Sequence, residues 1–220
     1  MTMATSRMHP GMLMLTGAQE AALARLGCTV TGQAAAGGTA RGGTVSVLCG
    51  PPGVGKTTVL ERLAAALPPG TAEIRPVSGW LEATPLPACV LVDDAHATDA
   101  LTLAAFVARA QGQRPAASLV LAGEGRLLTL LARDRRLERA VGLRASLGPC
   151  RLADTGRLLA ECVAHGTGIA ETVHEITGGV TADIIRLAAL ATVLAESRPD
   201  RRLEPADIEI VHRRLTLAAA

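Results

Sequence analysis

The sequence predicts an α/β fold, a parallel β-sheet flanked by helices and followed by a smaller all-helical segment. Three observations carry this expectation. Short apolar β-type runs alternate with helical stretches up to residue 149, the pattern of a parallel sheet. From Cys150 onward the strand-like runs stop and only helical stretches remain. Between the first apolar run and the helix after it stands the glycine-rich stretch Gly50–Thr57, in the place where a phosphate-binding loop belongs.

The elements follow in order. Residues 1–15 carry Met, Gly, Pro and Thr without a period and read as a loose arm. Thr16 with Gln19 is a capping-box pattern that opens a helix to Leu26, and Gly27 ends or weakens it. Gly37-Gly38 and Gly42-Gly43 mark a flexible connection. Thr44–Cys49 is the first strand, and a helix over Thr57–Leu67 is stopped by Pro68-Pro69-Gly70. Ala72–Val77 is a second strand, after which the prolines up to Pro87 leave little room for a full helix. Ala88–Asp93 is a continuous apolar run ending in an acid, as a strand buried on both faces would look. A helix over Asp99–Gln111, a buried strand over Ala117–Ala122, a helix near Leu127–Ala132, a basic stretch and a strand over Gly142–Leu147 complete the core. Helices over Asp154–His165, Ile169–Ile176, Thr181–Glu196 and Pro205–Leu217 follow, divided by Gly166, Gly178-Gly179 and Pro199. The expected organisation is an arm over 1–15, a phosphate-loop core over 16–149 and a helical lid over 150–220.

Composition excludes several classes. Of 220 residues 49% are apolar and 19% charged, enough to bury a core, so disorder is not the general description. No window reaches the roughly 18 uninterrupted apolar residues of a membrane span, and Gly11–Leu15 is too short for a secretory core. The expected compartment is the cytoplasm. A net charge of +2 is too mild to argue for nucleic acid by itself. With one Trp, one Phe and no Tyr, base-stacking platforms are excluded. The five cysteines are odd in number and lack C-x-x-C spacing, so they read as small buried hydrophobes rather than a disulfide frame or zinc site. Among 22 basic residues the only lysine is Lys56.

Gly50-Pro51-Pro52-Gly53-Val54-Gly55-Lys56-Thr57-Thr58 contains the full G-x-x-x-x-G-K-[ST] pattern. Glycines let backbone N–H groups turn inward onto phosphate oxygens, and the following helix points its positive end at the same anion. Lys56 reaches the β- and γ-phosphates of ATP, and the Thr57 hydroxyl ligates Mg²⁺. Cys89–Asp94 resembles a Walker B element, with Asp93 holding the metal and Asp94 polarising the attacking water. Asp94 is one methylene shorter than the usual glutamate. His96 reads as a surface or structural histidine. Glu124, after Gly123 at the end of the next strand, occupies the place of a γ-phosphate sensor, where a carboxylate needs an intervening cation or water. The run Arg133, Arg135, Arg136, Arg139 and Arg144 holds the candidate arginine finger, Arg139; a solvated helix face or contacts to DNA phosphates are the other readings. Thr177-Gly178-Gly179 makes a tight turn before a helix carrying Arg186, which either meets the nucleotide or pairs with Asp183 on the surface.

The order GPPGVGKTT, VLVDDAH, LVLAGEGRL, LERAVGLRASLGP and TGGVTADIIRLAALA resembles AAA+ ATPases of the ExeA general-secretion type and of the TniB/TnsC transposition type. The resemblance spans most of residues 14–215, and Thr177, Gly178, Gly179, Asp183, Arg186 and Leu187 lean to the transposition branch. It implies an additional-strand AAA+ core, the strand before Glu124 lying between the two phosphate-binding strands, with a helical lid. It further implies ATP and Mg²⁺ as cofactors and self-association into an ATP-dependent oligomer. The implied partner is duplex DNA, a transposase or a secretion-complex protein. Departures are the short stretch before Asp93 and Thr181-Ala182 after the double glycine. The expected function is an ATP-hydrolysing switch. The alternatives are a nucleotide-gated scaffold with weak hydrolysis and a small P-loop kinase.

Overall fold

The computed structural model describes residues 14–35, 43–83, 85–160, 168–197 and 203–218. Most of the arm expected over 1–15 lies outside these residues. The chain divides into two compact units, one over Ala18–Pro149 and one built on the helices that follow Cys150.

In the first unit β1 (Val45–Cys49), β2 (Ala72–Arg75), β3 (Cys89–Val92), β4 (Ser118–Gly123) and β5 (Val141–Ser146) form one sheet in the order β2-β3-β4-β1-β5. Every pairing is parallel. β4 therefore lies between β1 and β3, as the resemblance implied. The helices are α1 (Gly17–Ala35), α2 (Lys56–Ala66), α3 (Val77–Trp80), α4 (Ala100–Gly112), α5 (Gly125–Arg133) and α6 (Arg135–Ala140).

Strand alternation divides the core into two clusters. Val45, Val47 and Cys49 of β1 join Val90 and Val92 of β3 and Leu119 and Leu121 of β4 against Leu103, Phe106 and Leu127. Leu48, Leu91, Val120 and Ala122 point the other way, against Leu26 of α1 and Val59, Leu60 and Leu63 of α2. Each fully buried Val, Leu or Phe among these contributes about 1.5–3 kcal/mol. The outer strands β2 and β5 are only partly covered and carry Glu73, Arg75 and Arg144, as edge strands tolerate.

Three expectations change. The first helix does not end at Gly27 but runs to Ala35, because Leu26 and Val30 are both buried on its inner face. Thr29 Oγ1 and Thr31 Oγ1 bond back to Leu26 and Gly27 carbonyls at 2.8 Å. The second strand stops at Arg75, and Val77 and Trp80 instead bury themselves through the single turn α3. Arg109 of α4 holds that turn by donating to the Trp80 and Leu81 carbonyls. The basic stretch contains α6, capped by Asp134 Oδ1, which accepts from Arg136 N at 2.7 Å and Leu137 N at 3.3 Å.

The helical unit contains α7 (Leu152–Ala160), α8 (Ile169–Thr177), α9 (Thr181–Glu196) and α10 (Pro205–Ala218). The helix expected to His165 is described only to Ala160. Leu158, Leu159, Val173, Ile184, Leu187, Ala191 and Ile208 form its core. Gly178 and Gly179 both take positive φ, 57° and 76°, which turns α8 into α9 within two residues. Inside, Thr155 Oγ1 lies 2.9 Å from His174 Nδ1.

Candidate nucleotide-binding site

The loop from Gly50 to Gly55 leaves β1 and enters α2 at Lys56. Gly55, the N-cap of α2, has φ 92° and ψ 31°, in the left-handed region where a side chain is strained. A Cβ there would also lie 2.2 Å from Gln19 Nε2. That amide, from α1, donates to the Val54 carbonyl at 2.9 Å, and both residues are buried. In a trans peptide the C=O and the next N–H point in opposite directions. Gln19 thus draws the Val54 oxygen toward α1 and turns the Gly55 N–H away from it.

Lys56 is only 8% exposed, and among the described residues no carboxylate lies within ion-pair distance of it. Its Nζ donates to the carbonyls of Gly50 at 2.9 Å and Pro51 at 2.8 Å. A buried ammonium held only by carbonyls is a site in want of an anion. Thr57 Oγ1 donates to Asp93 Oδ2 at 2.7 Å, joining the first turn of α2 to the residue after β3. A hydroxyl and one carboxylate at this distance suit Mg²⁺, which takes few protein ligands and completes its shell with water and phosphate oxygens. The chain's own donors therefore fit both groups the resemblance implied.

Gly50 N donates to Gly123 O at 3.2 Å, so the loop begins against the end of β4 and Glu124 adjoins it. Burial first of all pushes the Cys49 thiol up; the Lys56 ammonium and the Gly50 N–H oppose this, and Glu124 adds to it. Asp94 is exposed and has φ 49°, a left-handed conformation rare outside glycine but accessible to Asp. His96 stands between Asp94 and Glu124, 3.8 Å from each.

The geometry thus brings together Gly50, Pro51, Pro52, Gly53, Val54, Gly55, Lys56, Thr57, Thr58 and Asp93, with Asp94 and Glu124 beside them. Arg139 is in the last turn of α6, exposed and without an ion pair among the described residues. Arg133, Arg135, Arg136 and Arg144 are exposed as well. Arg186 is exposed on α9 in the helical unit, and no ion pair joins it to Asp183. Two residues were missed as site residues. Gln19 looked like a capping-box partner, and nothing in its spacing pointed to a loop 35 residues away. His96 looked structural, although the D-D-A-H run placed it two residues after the second acid. The cysteines divide: Cys49, Cys89 and Cys150 are buried as expected, whereas Cys28 is exposed on α1. Trp80 and Phe106 are both buried, so neither aromatic is exposed for stacking. Among the described residues no helix is long and apolar enough to cross a membrane.

No protein-family model matches the chain, and no curated protein matches it. Solved structures do. The RuvB Holliday junction branch migration motor of Thermotoga maritima has a TM-score of 0.69 at 18% identity, over 91% of this chain and 70% of that one. The ORC2 protein of Aeropyrum pernix, solved in ADPNP–ADP complexes, has a TM-score of 0.64 at 14% identity, over 92% and 69%. Sheet order, phosphate loop and helical C-terminal part together give this chain the fold of the AAA+ P-loop ATPases.

Proposed function

We propose that the chain is an ATP-binding and ATP-hydrolysing AAA+ switch that associates with copies of itself and acts on a partner in the cytoplasm. The observation that carries this is the Thr57–Asp93 hydrogen bond of 2.7 Å beside a buried Lys56 that has no carboxylate partner among the described residues. Backbone N–H groups of the loop bind the phosphates, and Lys56 exchanges its carbonyl partners for phosphate oxygens. Thr57 and Asp93 would hold Mg²⁺, which when bound would supply positive charge to offset that of the phosphates. Asp94 accepts the proton of the attacking water as its oxygen bonds to the γ-phosphorus. The bond to the bridging oxygen breaks, and ADP leaves with that electron pair. Arg139, exposed and without an ion pair among the described residues, is the group offered to a neighbouring subunit's nucleotide.

For the partner we favour duplex DNA and a transposition protein over a secretion complex. The lid motif Thr177, Gly178, Gly179, Asp183, Arg186 supports this choice, and so does the likeness to RuvB, a Holliday junction branch migration motor. Lys56→Ala is expected to abolish ATP binding by calorimetry, and Asp93→Asn to remove the Mg²⁺ dependence of binding. Wild-type affinity in Lys56→Ala refutes the assignment. Images of the protein with an ATP analogue test the partner: assemblies that need duplex DNA select the transposition-like role.

A second reading, a nucleotide-gated scaffold with weak hydrolysis, draws on one observation. Asp94 is the shorter acid, and its side chain is 68% exposed. ATP bound without turnover, with or without DNA, selects that reading. A small P-loop kinase would instead put the phosphate on a metabolite.

A further inference from the structure

Two features at the site are unfavourable taken singly: a Walker B acid one methylene short, and a glutamate where a γ-phosphate would approach. A third residue touches both. After β3 the left-handed Asp94 turns the chain into a 3₁₀ turn, Ala95–Ala97, closed by Ala97 N donating to Asp94 O at 2.8 Å. Ala95 is fully buried and pins that turn to the core. Gly123 lets the turn come close, since a Cβ there would lie 3.2 Å from His96 N. The His96 ring is consequently held between the ends of β3 and β4. Nδ1 faces Asp94 Oδ1 and Nε2 faces Glu124 Oε1, each at 3.8 Å. Nδ1 is buried and has no hydrogen-bond partner among the described residues. A buried ring nitrogen left unpaired is costly, and such a group in a folded protein calls for an explanation.

We propose that His96 is a positioning residue for ATP hydrolysis, holding Asp94 and Glu124 as a pair across the ends of β3 and β4 beside the γ-phosphate. Nε2 donates to Glu124 and turns its carboxylate off the phosphate, which supplies the cation or donor that a glutamate in this place needs. Nδ1 donates to Asp94 and fixes the shorter side chain toward the attacking water.

The inference rests on the ATPase reading above, and its test separates the two. ATP affinity and turnover are measured for wild type, His96→Ala, His96→Gln, Glu124→Gln and the double variant His96→Ala/Glu124→Gln. In His96→Ala, kcat falls by about tenfold or more while the Kd for ATP stays within about threefold. His96→Gln, which keeps one donor, recovers part of the loss. In the Glu124→Gln background the same His96→Ala change costs less than half as much on a logarithmic scale, because the carboxylate it restrained is gone. Unchanged kcat in His96→Ala overturns the proposal. So does an equal loss in both backgrounds, or a loss of ATP affinity that matches the loss of kcat. Wild-type protein that fails to bind ATP overturns the ATPase reading itself. Wild-type protein that binds ATP but never turns it over overturns the His96 proposal and leaves the scaffold.

Discussion

Gly55→Ala perturbs the phosphate loop at a point where two costs meet. The first is conformational: at φ 92° a Cβ is strained, at about 1–2 kcal/mol. The second is a collision. The new Cβ would sit 2.2 Å from Gln19 Nε2, so the amide must leave the Val54 carbonyl it now holds at 2.9 Å. Losing a buried partner costs about 1–3 kcal/mol. Gly55→Ala is therefore expected to lower the unfolding free energy by about 2–5 kcal/mol, and Gln19→Ala alone by about 1–3 kcal/mol. Both variants lose the same hydrogen bond, so their effects do not add. The double variant should fall short of the sum by about 1–3 kcal/mol. Urea unfolding of the four proteins, with ATP Kd measured in parallel, checks this. Costs that add to within about 0.5 kcal/mol would refute the idea that Gln19 and Gly55 act through one contact.

Two further outcomes follow from side-chain environments. Burial pushes the Cys89 thiol up to about 12 and raises those of Cys49 and Cys150, while Cys28 is exposed. In a Cys162→Ser background at neutral pH, a thiol reagent should modify Cys28 within minutes and the other three only on unfolding, read by mass spectrometry. Asp99 caps α4, and its carboxylate lies below the usual range, first because it accepts from the Thr102 hydroxyl and then from backbone N–H groups of Thr102 and Leu101. Its contribution is present above the unfolded carboxylate pKa of about 3.9 and is lost as pH falls through the lower folded value. Melting curves of wild type and Asp99→Asn, which caps without titrating at acid pH, should therefore converge toward low pH; a constant gap from neutral to acid pH would count against this.

The parallel core was legible where burial made the signal simple. β1, β3 and β4 are buried on both faces, β3 reads as an unbroken apolar run and β1 and β4 as largely apolar β-type runs, and the phosphate loop fell between β1 and α2 because its spacing admits little else. Legibility failed where a tertiary contact outweighed a local rule. Gly27 looked like a stop, but burial of Leu26 and Val30 carries α1 through it. Pro76 and its neighbours argued against a helix, yet Trp80 needed only a single turn to reach the core. Asp134 was a readable N-cap that the density of arginines obscured. At the site, Lys56, Thr57 and Asp93 could be named from spacing alone. His96 and Gln19 could not, because one depends on how closely a turn approaches Gly123 and the other on where α1 packs.

The order β2-β3-β4-β1-β5 has a consequence for how the polypeptide is made. β1 is synthesised first among the strands, yet both of its hydrogen-bonding neighbours come later, β4 and then β5, which ends at Ser146. On the ribosome the strand that bears the phosphate loop waits with two open edges while β2 and β3 emerge. Such delayed non-local pairing is slow and exposes sticky surface. Nascent chains stalled before β5 should therefore recruit chaperones.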